Sequence, residues 1–537
     1  MDAKRGALVA AILGSSVVAV DATVVNIALP RIADELGGGL AGQQWVANAY
    51  LLTLASLILV SGSLADIYGE RRVFTLGVAG FGIASLLCAI APSVELLVVA
   101  RALQGVSGAL LTPASLAIIV AVFPESERGA AIGSWTAWAG IGYVAGPLIG
   151  GQIIDSASWR WVFAINIPLV LITLAMSARY VPEGRRVTGE SRPRLDMAGA
   201  LLCAFGLAGI SFGLIEQPMF GFGDPRVLVP LIAGVVVFAG FVAWELRAPA
   251  PMLPLGLFKR RNFSVANVET LLMYGGMAVQ SFFLTLFLQQ VAGFSAFEAG
   301  SAGIFPTAVM FVLSRRFGAL ADRYGPRWFM AVGPLLVASG FVLLLRLDAT
   351  TSYWGDLVPA MLVYSLGLAV TVAPLTATVL ADADESDAGI ASAVNNAIAR
   401  TAGLLATAAV GAALAGFYAD RLDSELAGRT LSPAAQRVVA EARDRALSPV
   451  ETTGVPPDDR AVIAVAVREA GVDAFHLSAT IGAGMVALSG VLGGLLLRNP
   501  RRPTAATRCP AGQLYGAPEE ACNRQAPGAA VPAGAHA

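Results

Sequence analysis

The sequence predicts an all-α membrane protein with fourteen spanning helices, arranged as two pseudo-symmetric six-helix halves and two inserted linker helices. Three observations predict this fold: the composition, the number of long apolar segments, and one loop sequence that occurs twice. Of the 537 residues, 56% are hydrophobic and 14% are charged, whereas a soluble domain has about 25% charged residues. Such a chain is expected to lie mostly within a bilayer.

The apolar segments give the number of spans. A helix that crosses a bilayer needs about 20 mostly apolar residues. The first segment follows the basic start MDAKRG and lacks a small-residue cleavage site, which favours a span over a signal peptide. The fourteen segments lie at residues 7–29, 45–66, 73–92, 96–122, 129–154, 161–181, 196–216, 227–247, 263–290, 297–317, 328–346, 355–381, 388–417 and 475–497.

The basic residues predict the orientation of these helices. Short loops rich in Lys and Arg stay on the cytoplasmic side. One side of the predicted bundle holds most of them, including the pairs Arg260–Arg261 and Arg315–Arg316, although its loop DADESD at 382–387 is acidic. The short loops of the other side hold only Arg31, Arg160, Arg226 and Arg346. The sequence therefore predicts a multi-pass protein of the cell membrane with both termini in the cytoplasm.

An internal repeat predicts how the spans are grouped. GSLADIYGERR at 62–72 resembles GALADRYGPRW at 318–328, and each copy joins two apolar segments. With spans 7 and 8 set aside, each copy joins the second and third helices of a six-helix half, and parallel repeats of this kind are typical of transporters. The predicted parts are 1–181 (first half), 182–262 (two inserted helices with linkers), 263–502 (second half), 418–474 within it (a polar external hairpin) and 503–537 (a disordered cytoplasmic tail).

The hairpin and the repeated loops have local features of their own. Ser432 is expected to cap a hairpin helix that begins at Pro433, and the hairpin is interpreted as a solvated element or as a lid that gathers substrate. In the repeated loops, the first glycine of each copy is expected to allow close packing and the second to allow a tight turn. The aspartates are expected to face helix N-termini of the opposite half and, with the nearby arginines, to hold the cytoplasmic side shut in one state; the alternative is a simple anchor loop. These predicted gating residues are Gly62, Asp66, Gly69, Arg71, Arg72, Gly318, Asp322, Arg323 and Gly325.

Four charged residues fall clearly inside predicted spans: Asp21, Arg101, Glu269 and Arg400. Charges at membrane depth cost about 3 kcal/mol or more and usually face a cavity or a partner. Asp21 lies ~21 Å along its helix, so it can meet Arg101, and Gln104 one turn away can join them. The Asp21–Arg101 pair is interpreted as a site for protons or cationic substrate, or alternatively as a purely structural ion pair.

The other two charges belong to the second half. Glu269 lies ~9 Å from the start of its helix, and Arg400 lies near the middle of its own, one turn after Asn395 and Asn396. Because the first helix of each half supplies one acid, Asp21 and Glu269 form a plausible ladder for a proton or cation. The alternatives are an interfacial position for Glu269 and a structural polar cluster around Arg400 and Asn396.

The fifth span contains GYVAGPLIGG at 142–151. Glycines four residues apart make a flat face for close helix packing, and a proline frees a carbonyl and bends the helix. The segment is interpreted as a packing face or as a hinge that controls outward opening. Its residues are Gly142, Gly146, Pro147, Gly150 and Gly151.

These motifs together resemble the major facilitator superfamily, in particular its 14-helix drug:proton antiporter branch. The resemblance rests on the paired GxLaDxxG loops, RALQG in span 4, GYVAGPLIGG in span 5, VDATVVNIALP in span 1 and WRWVFAINIP before span 6. It implies proton-coupled export, with Asp21 and Arg101 at coupling positions. Ile67 and Glu70 depart from the family's basic residues in the first loop copy, so the lock there is expected to be weaker or differently paired.

The expected function is export of hydrophobic or amphipathic small molecules, cationic ones included, or antibiotics by alternating access, driven by protons. Alternatives are export of one endogenous metabolite or lipid, and a transporter-derived sensor or scaffold without flux. With only His476 and His536 and no P-loop sequence, enzymatic, metal-dependent and ATP-driven functions are not expected. The expected partners are a small-molecule substrate and the lipid bilayer, with no cofactor beyond protons, no nucleic acid at a net charge of −1, and function as a monomer.

Overall fold

Long helices joined by short turns form the whole of the described structure. It is a computed structural model that describes residues 2–183, 196–381, 388–443, 445–447 and 452–499. Within these ranges there are helices and turns and no β-strand. Residues 1–497 form one compact unit, so the predicted halves are parts of a single body. The predicted tail 503–537 and the acidic loop 382–387 lie outside the described residues.

The first part of the chain supplies the helices of the first predicted half. They are α1 (Ala3–Leu36), α2 (Gly39–Tyr68), α3 (Glu70–Ala89), α4 (Val94–Val122), α5 (Glu125–Ser156), α6 (Arg160–Ala164) and α7 (Asn166–Tyr180). Successive long helices run in opposite directions, which gives the bundle two ends. We call the end where α1 begins the terminal face, and the end where α1 finishes and α2 begins the distal face.

The remaining helices follow the same alternation. They are α8 (Met197–Phe220), α9 (Pro225–Glu245), α10 (Arg261–Gln290), α11 (Ala296–Ser301), α12 (Ile304–Tyr324), α13 (Arg327–Leu344), α14 (Val358–Ala381), α15 (Ala388–Glu425), α16 (Pro433–Arg443) and α17 (Pro457–Leu496). Of the inserted pair, α8 packs against α9, α2 and α15. The Trp45 indole N–H donates to Glu216 at 2.9 Å, which ties α8 to α2.

Thirteen helical segments among the described residues are long and apolar enough to span a membrane. The remaining predicted span, the fifth at 129–154, corresponds to α5, which has 32 residues. Several side chains of α5 lie outside the described part of the structure, and α5 is not among the thirteen. An all-helical multi-pass membrane fold is confirmed, whereas the number fourteen and the proposed domain boundaries stay predictions.

The polar hairpin differs from the predicted range 418–474. Ser432 does precede a helix that begins at Pro433, and its hydroxyl accepts from the Ala435 N–H at 3.3 Å. However, α15 continues to Glu425, and α17 runs unbroken from Pro457 through the last span. The polar sequence did not mark the ends of these helices, because a helix that extends beyond the apolar layer can carry charges on its solvated surface.

Candidate functional site

A buried ion pair joins α1 to α4. The Arg101 guanidinium Nη1 lies 2.6 Å from Asp21 Oδ2, and the two side chains are 2% and 0% exposed. Removing two charges from water is expensive unless each has close partners. The structure therefore brings the predicted Asp21 and Arg101 into direct contact and seals them inside the first half.

Amide and hydroxyl groups complete this buried network. Arg101 also donates to Gln104 Oε1 at 2.6 Å, and Gln104 Nε2 donates to Asp21 Oδ1 at 2.8 Å. Asn166, at the start of α7, donates to the same Oδ1 at 3.1 Å. Ser85 on α3 accepts from Gln104 at 2.9 Å and from Asn166 at 3.3 Å. The network thus ties four helices together at one carboxylate.

Two contacts hold the Arg101 guanidinium in place. Its Nε donates to the Val46 carbonyl oxygen on α2 at 3.1 Å, and its carbon lies 4.4 Å from the centre of the Tyr50 ring. Tyr50, Ser85 and Asn166 were not among the predicted site residues. Each is a single polar or aromatic side chain in an apolar segment, and only the packing of α2, α3 and α7 around α4 shows that they share one site.

A separate cavity of about 570 Å³ lies between the two halves. It is lined by residues of α1, α2, α10, α14 and α15. The predicted residues Asn396 and Arg400 line this central cavity together with Tyr274, whereas Asp21, Arg101, Gln104 and Glu269 do not. The predicted site residues therefore fall into different locations rather than one.

A second cavity of about 240 Å³ adjoins the central one toward the distal face. Both cavities are lined by Asn26, Ser281 and Tyr364. The distal cavity also contacts Pro147 of α5 and Gly300 of α11. The space between the halves thus continues from mid-depth toward the contact between α5 and α11.

That contact joins the two halves at the distal face. Asp155, at the end of α5, accepts from the backbone N–H groups of Ala296 and Phe297 at 3.1 and 2.9 Å. A Cβ placed on Gly151 would lie 2.6 Å from the Phe297 Cα, and one on Gly300 would lie 2.6 Å from the Pro147 carbonyl oxygen. Only glycine lets these backbones approach so closely.

Three further glycines of α5 face α1. A Cβ at Gly142 would lie 3.4 Å from Ala19, one at Gly146 would lie 2.4 Å from Thr23 Oγ1, and one at Gly150 would lie 2.8 Å from Val24. The flat face predicted from the glycine spacing is therefore the surface on which α1 packs. Since α1 carries Asp21, this packing links the buried network to the distal contact.

Glu269 lies deep within the second half. Its side chain is fully buried on α10, and neither carboxyl oxygen has a hydrogen-bond partner among the described residues. A Cβ on Gly493 of α17 would lie 2.5 Å from Oε2. The acid is enclosed by helices of its own half and does not line the central cavity.

The two repeated loops share the same tight turn at glycine. Gly69 and Gly325 have φ of +90° and +89°, a conformation that glycine adopts without strain. In the first copy Arg71 donates to the Ala178 carbonyl oxygen of the first half at 3.0 Å and lies 3.9 Å from Glu183, at the start of the segment that links the first half to α8. A cross-half lock at Arg71 is absent from the described contacts.

The remaining gating residues of the loops are exposed or loosely packed. The side chain of Asp66 lies outside the described part of the structure. Arg72, Asp322 and Arg323 are exposed. The close approach expected at Gly62 and Gly318 is wrong for this arrangement: a Cβ at Gly62 would meet no described heavy atom within 4 Å, and one at Gly318 would make an ordinary 3.6 Å contact. At Gly62 no described residue of a neighbouring helix fills the space beside the glycine.

The paired charges, the glycine-packed α1–α5 contact and the cavity between two half-bundles define a membrane transporter. A family model for the Major Facilitator Superfamily matches residues 11–408. The chain belongs to this superfamily.

Similar proteins include exporters of antibiotics. The chain is 34% identical to a tetracenomycin C resistance and export protein of Streptomyces glaucescens, over 84% of this chain and 82% of that protein. It is 36% identical to a puromycin resistance protein of Streptomyces alboniger, over 80% of this chain and 84% of that protein.

Solved structures show the same fold. A bacterial homologue of the human lysosomal transporter Spinster matches with a TM-score of 0.61 and 16% identity, over 91% of this chain and 96% of that one. A D-xylose–proton symporter matches with a TM-score of 0.58 and 15% identity, over 93% and 99% of the two chains. At such low identity the likeness concerns the fold alone.

Proposed function

We propose that this protein exports hydrophobic or amphipathic small molecules, antibiotics among them, in exchange for protons by alternating access. The resistance and export functions of its relatives support a drug-efflux role. The observation that carries the exchange mechanism is the buried Asp21–Arg101 pair on the helix that also borders the central cavity. It acts in the cell membrane as a monomer, with both termini in the cytoplasm.

The proposed coupling acts through α1. A proton that binds Asp21 removes the negative charge opposite Arg101, so the ion pair loses its Coulomb attraction. The same helix presents Ala22 and Asn26 to the central cavity, and its Ile27 carbonyl oxygen accepts from Gln289 of α10 at 3.1 Å. A small shift of α1 would therefore alter both the substrate cavity and a contact between the halves.

The conformation fits one stage of this cycle. With the distal face outside, the α5–α11 contact closes the outer side of the cavity. Protonation from outside requires the opposite arrangement, in which α1 and α5 separate from α10 and α11. Each proton that moves inward across 100 mV supplies about 2.3 kcal/mol, which can drive a substrate against its gradient.

Transport in proteoliposomes tests the proposal. Wild-type protein is expected to accumulate an amphipathic dye against its gradient when a pH gradient is imposed, and an uncoupler is expected to abolish this. Asp21→Asn is expected to lose uphill transport, while Asp348→Asn, a control in an exposed turn, is expected to retain it. Undiminished uphill transport by Asp21→Asn would assign the carboxylate a structural role and make Glu269 the next candidate for coupling.

A further inference from the structure

The central cavity contains a positive charge that has no negative partner among the described residues. Arg400 is the one formally charged residue among the described residues that line it. The Arg400 guanidinium Nε is buried and has no hydrogen-bond partner among the described residues. No described carboxylate lies within 4.0 Å of it, since Arg400 forms none of the ion pairs found among these residues.

The acids on the surrounding helices do not compensate this charge. Asp21 of α1 is turned away from the cavity, and its two oxygens are bound by Arg101, Gln104 and Asn166. Glu269 of α10 is enclosed near α17 and does not line the cavity. The described parts of α2, α14 and α15 add no carboxylate to the lining.

A half-buried guanidinium without a counter-ion favours an anion as its ligand. Desolvated charges are stabilised by close, hydrogen-bonded partners of opposite sign. The planar guanidinium presents several N–H donors in a fixed fork that matches a carboxylate, and charge-assisted bonds of this kind are stronger than neutral ones. A cationic ligand in the same place would be repelled.

The rest of the lining suits a flat apolar group with polar substituents. Tyr274, Phe282 and Tyr364 supply aromatic surface, and Met277 supplies an adaptable apolar contact. The amide Nδ2 of Asn48 is buried without a partner among the described residues, so a donor is available for a ligand oxygen. Asn26 and Asn396 add further amide groups.

We propose that the central cavity binds amphipathic organic anions, namely aromatic compounds with a carboxylate or an acidic phenol, and that Arg400 recognises the negative group. This specifies the substrate class of the proposed exporter and therefore rests on the proposed function. It replaces the expectation of a cationic substrate, which placed the substrate charge beside Asp21. In this proposal Asp21 binds the coupling proton, and Arg400 selects the substrate.

A matched pair of dyes tests the charge preference. Fluorescein and rhodamine 123 share a tricyclic xanthene ring, but at neutral pH the first is an anion and the second a cation. Binding to the purified full-length protein in detergent is measured by fluorescence anisotropy, and transport of each dye is measured in proteoliposomes under a pH gradient. We expect fluorescein to bind at least ~10-fold more tightly than rhodamine 123, as one charge-assisted contact allows.

Variants at Arg400 separate charge recognition from folding. Arg400→Gln is expected to weaken fluorescein binding by about 10-fold or more, Arg400→Lys to retain most of it, and Arg400→Glu to favour the cation. Arg346→Gln, the same change at an exposed position on the distal face, is expected to bind as the wild type does. Near-normal fluorescein binding by the Lys variant shows that the site remains folded.

The outcomes distinguish the anion-binding proposal from the broader proposal that the protein is a proton-driven exporter. Equal binding of the two dyes, binding of neither, a preference for rhodamine 123, or a fluorescein preference that persists in Arg400→Gln would each overturn the anion proposal. Uphill transport of rhodamine 123 that depends on the pH gradient would at the same time support the proton-driven exporter. Fluorescein binding that depends on Arg400, without transport of either dye, would support the anion site and contradict the exporter.

Discussion

Replacing Asp21 by asparagine tests whether the buried pair is energetically coupled. The change removes one negative charge and almost no volume, and it leaves the Arg101 guanidinium 2% exposed and without its charged partner at 2.6 Å. The guanidinium would keep its bonds to the Val46 carbonyl oxygen and to Gln104, which carry no full charge. Removing one partner of a buried pair costs about 3–5 kcal/mol, so Asp21→Asn is expected to lower the free energy of unfolding by that amount.

A double-mutant cycle measures the interaction itself. Arg101→Gln alone is expected to cost a similar ~3–5 kcal/mol, because it leaves a buried carboxylate unpaired. Both changes together remove both charges and are expected to cost no more than either alone, which gives a coupling energy of at least about 3 kcal/mol.

The assay is reversible unfolding in mixed micelles, followed by circular dichroism. The control cycle uses Lys4 and Glu127, an ion pair at 2.9 Å whose side chains are 40% and 52% exposed, for which a coupling below about 1 kcal/mol is expected. If the Asp21 and Arg101 changes were additive, or coupled no more strongly than the control pair, the reasoning from burial would be refuted.

Three further predictions concern the other parts of the site. Gly146→Ala should strongly reduce transport, since its Cβ would lie 2.4 Å from the Thr23 hydroxyl oxygen and 3.2 Å from the Val20 carbonyl oxygen of α1. Gly133→Ala in the same helix, whose Cβ would have no described atom within 4 Å, should be harmless. Dye transport compares the two variants, and equal activity would contradict the packing argument. Asp155→Ala removes an exposed carboxylate that accepts two N–H bonds, and it should weaken the distal contact by about 1 kcal/mol. A cysteine introduced in the distal cavity by Thr285→Cys should then react with a thiol label roughly fivefold faster. An unchanged labelling rate would contradict a role of Asp155 in holding this contact. Glu269→Gln should leave the free energy of unfolding within about 1.5 kcal/mol of the wild-type value in the same micelle assay, because the side-chain volume is nearly conserved. A much larger loss would mean that a specific partner holds the carboxyl group.

The chain's periodicity and charge placement predicted the spans and part of the site. Arg101 and Gln104 are three residues apart and therefore share a face of α4, and depth along the helices placed Asp21 within reach of them. The same reasoning could not find Asn166 or Tyr50. Their side chains reach the network through the packing of separate helices, and no local spacing relates them to Asp21.

Helix packing decided where the predicted close contacts at glycine occur. The glycine spacing of α5 indicated a close contact, but only the structure shows that Gly146 faces α1 while Gly151 faces α11 of the other half. The same argument was wrong at Gly62, where no described neighbour comes close. A small side chain permits a close approach, but the position of the neighbouring helix decides whether the approach occurs.

The sequence by itself determined the membrane class, the two-fold repeat and the identity of the costly charges, because the bilayer penalises every polar group in an apolar segment regardless of tertiary detail. The tertiary structure alone decided which of those charges are neutralised. It pairs Asp21 with Arg101 inside one half and leaves Arg400 beside an open cavity between the halves. That difference arises because pairing requires atoms within a few ångströms of each other, and such distances between helices far apart in the chain are set by how the helices pack.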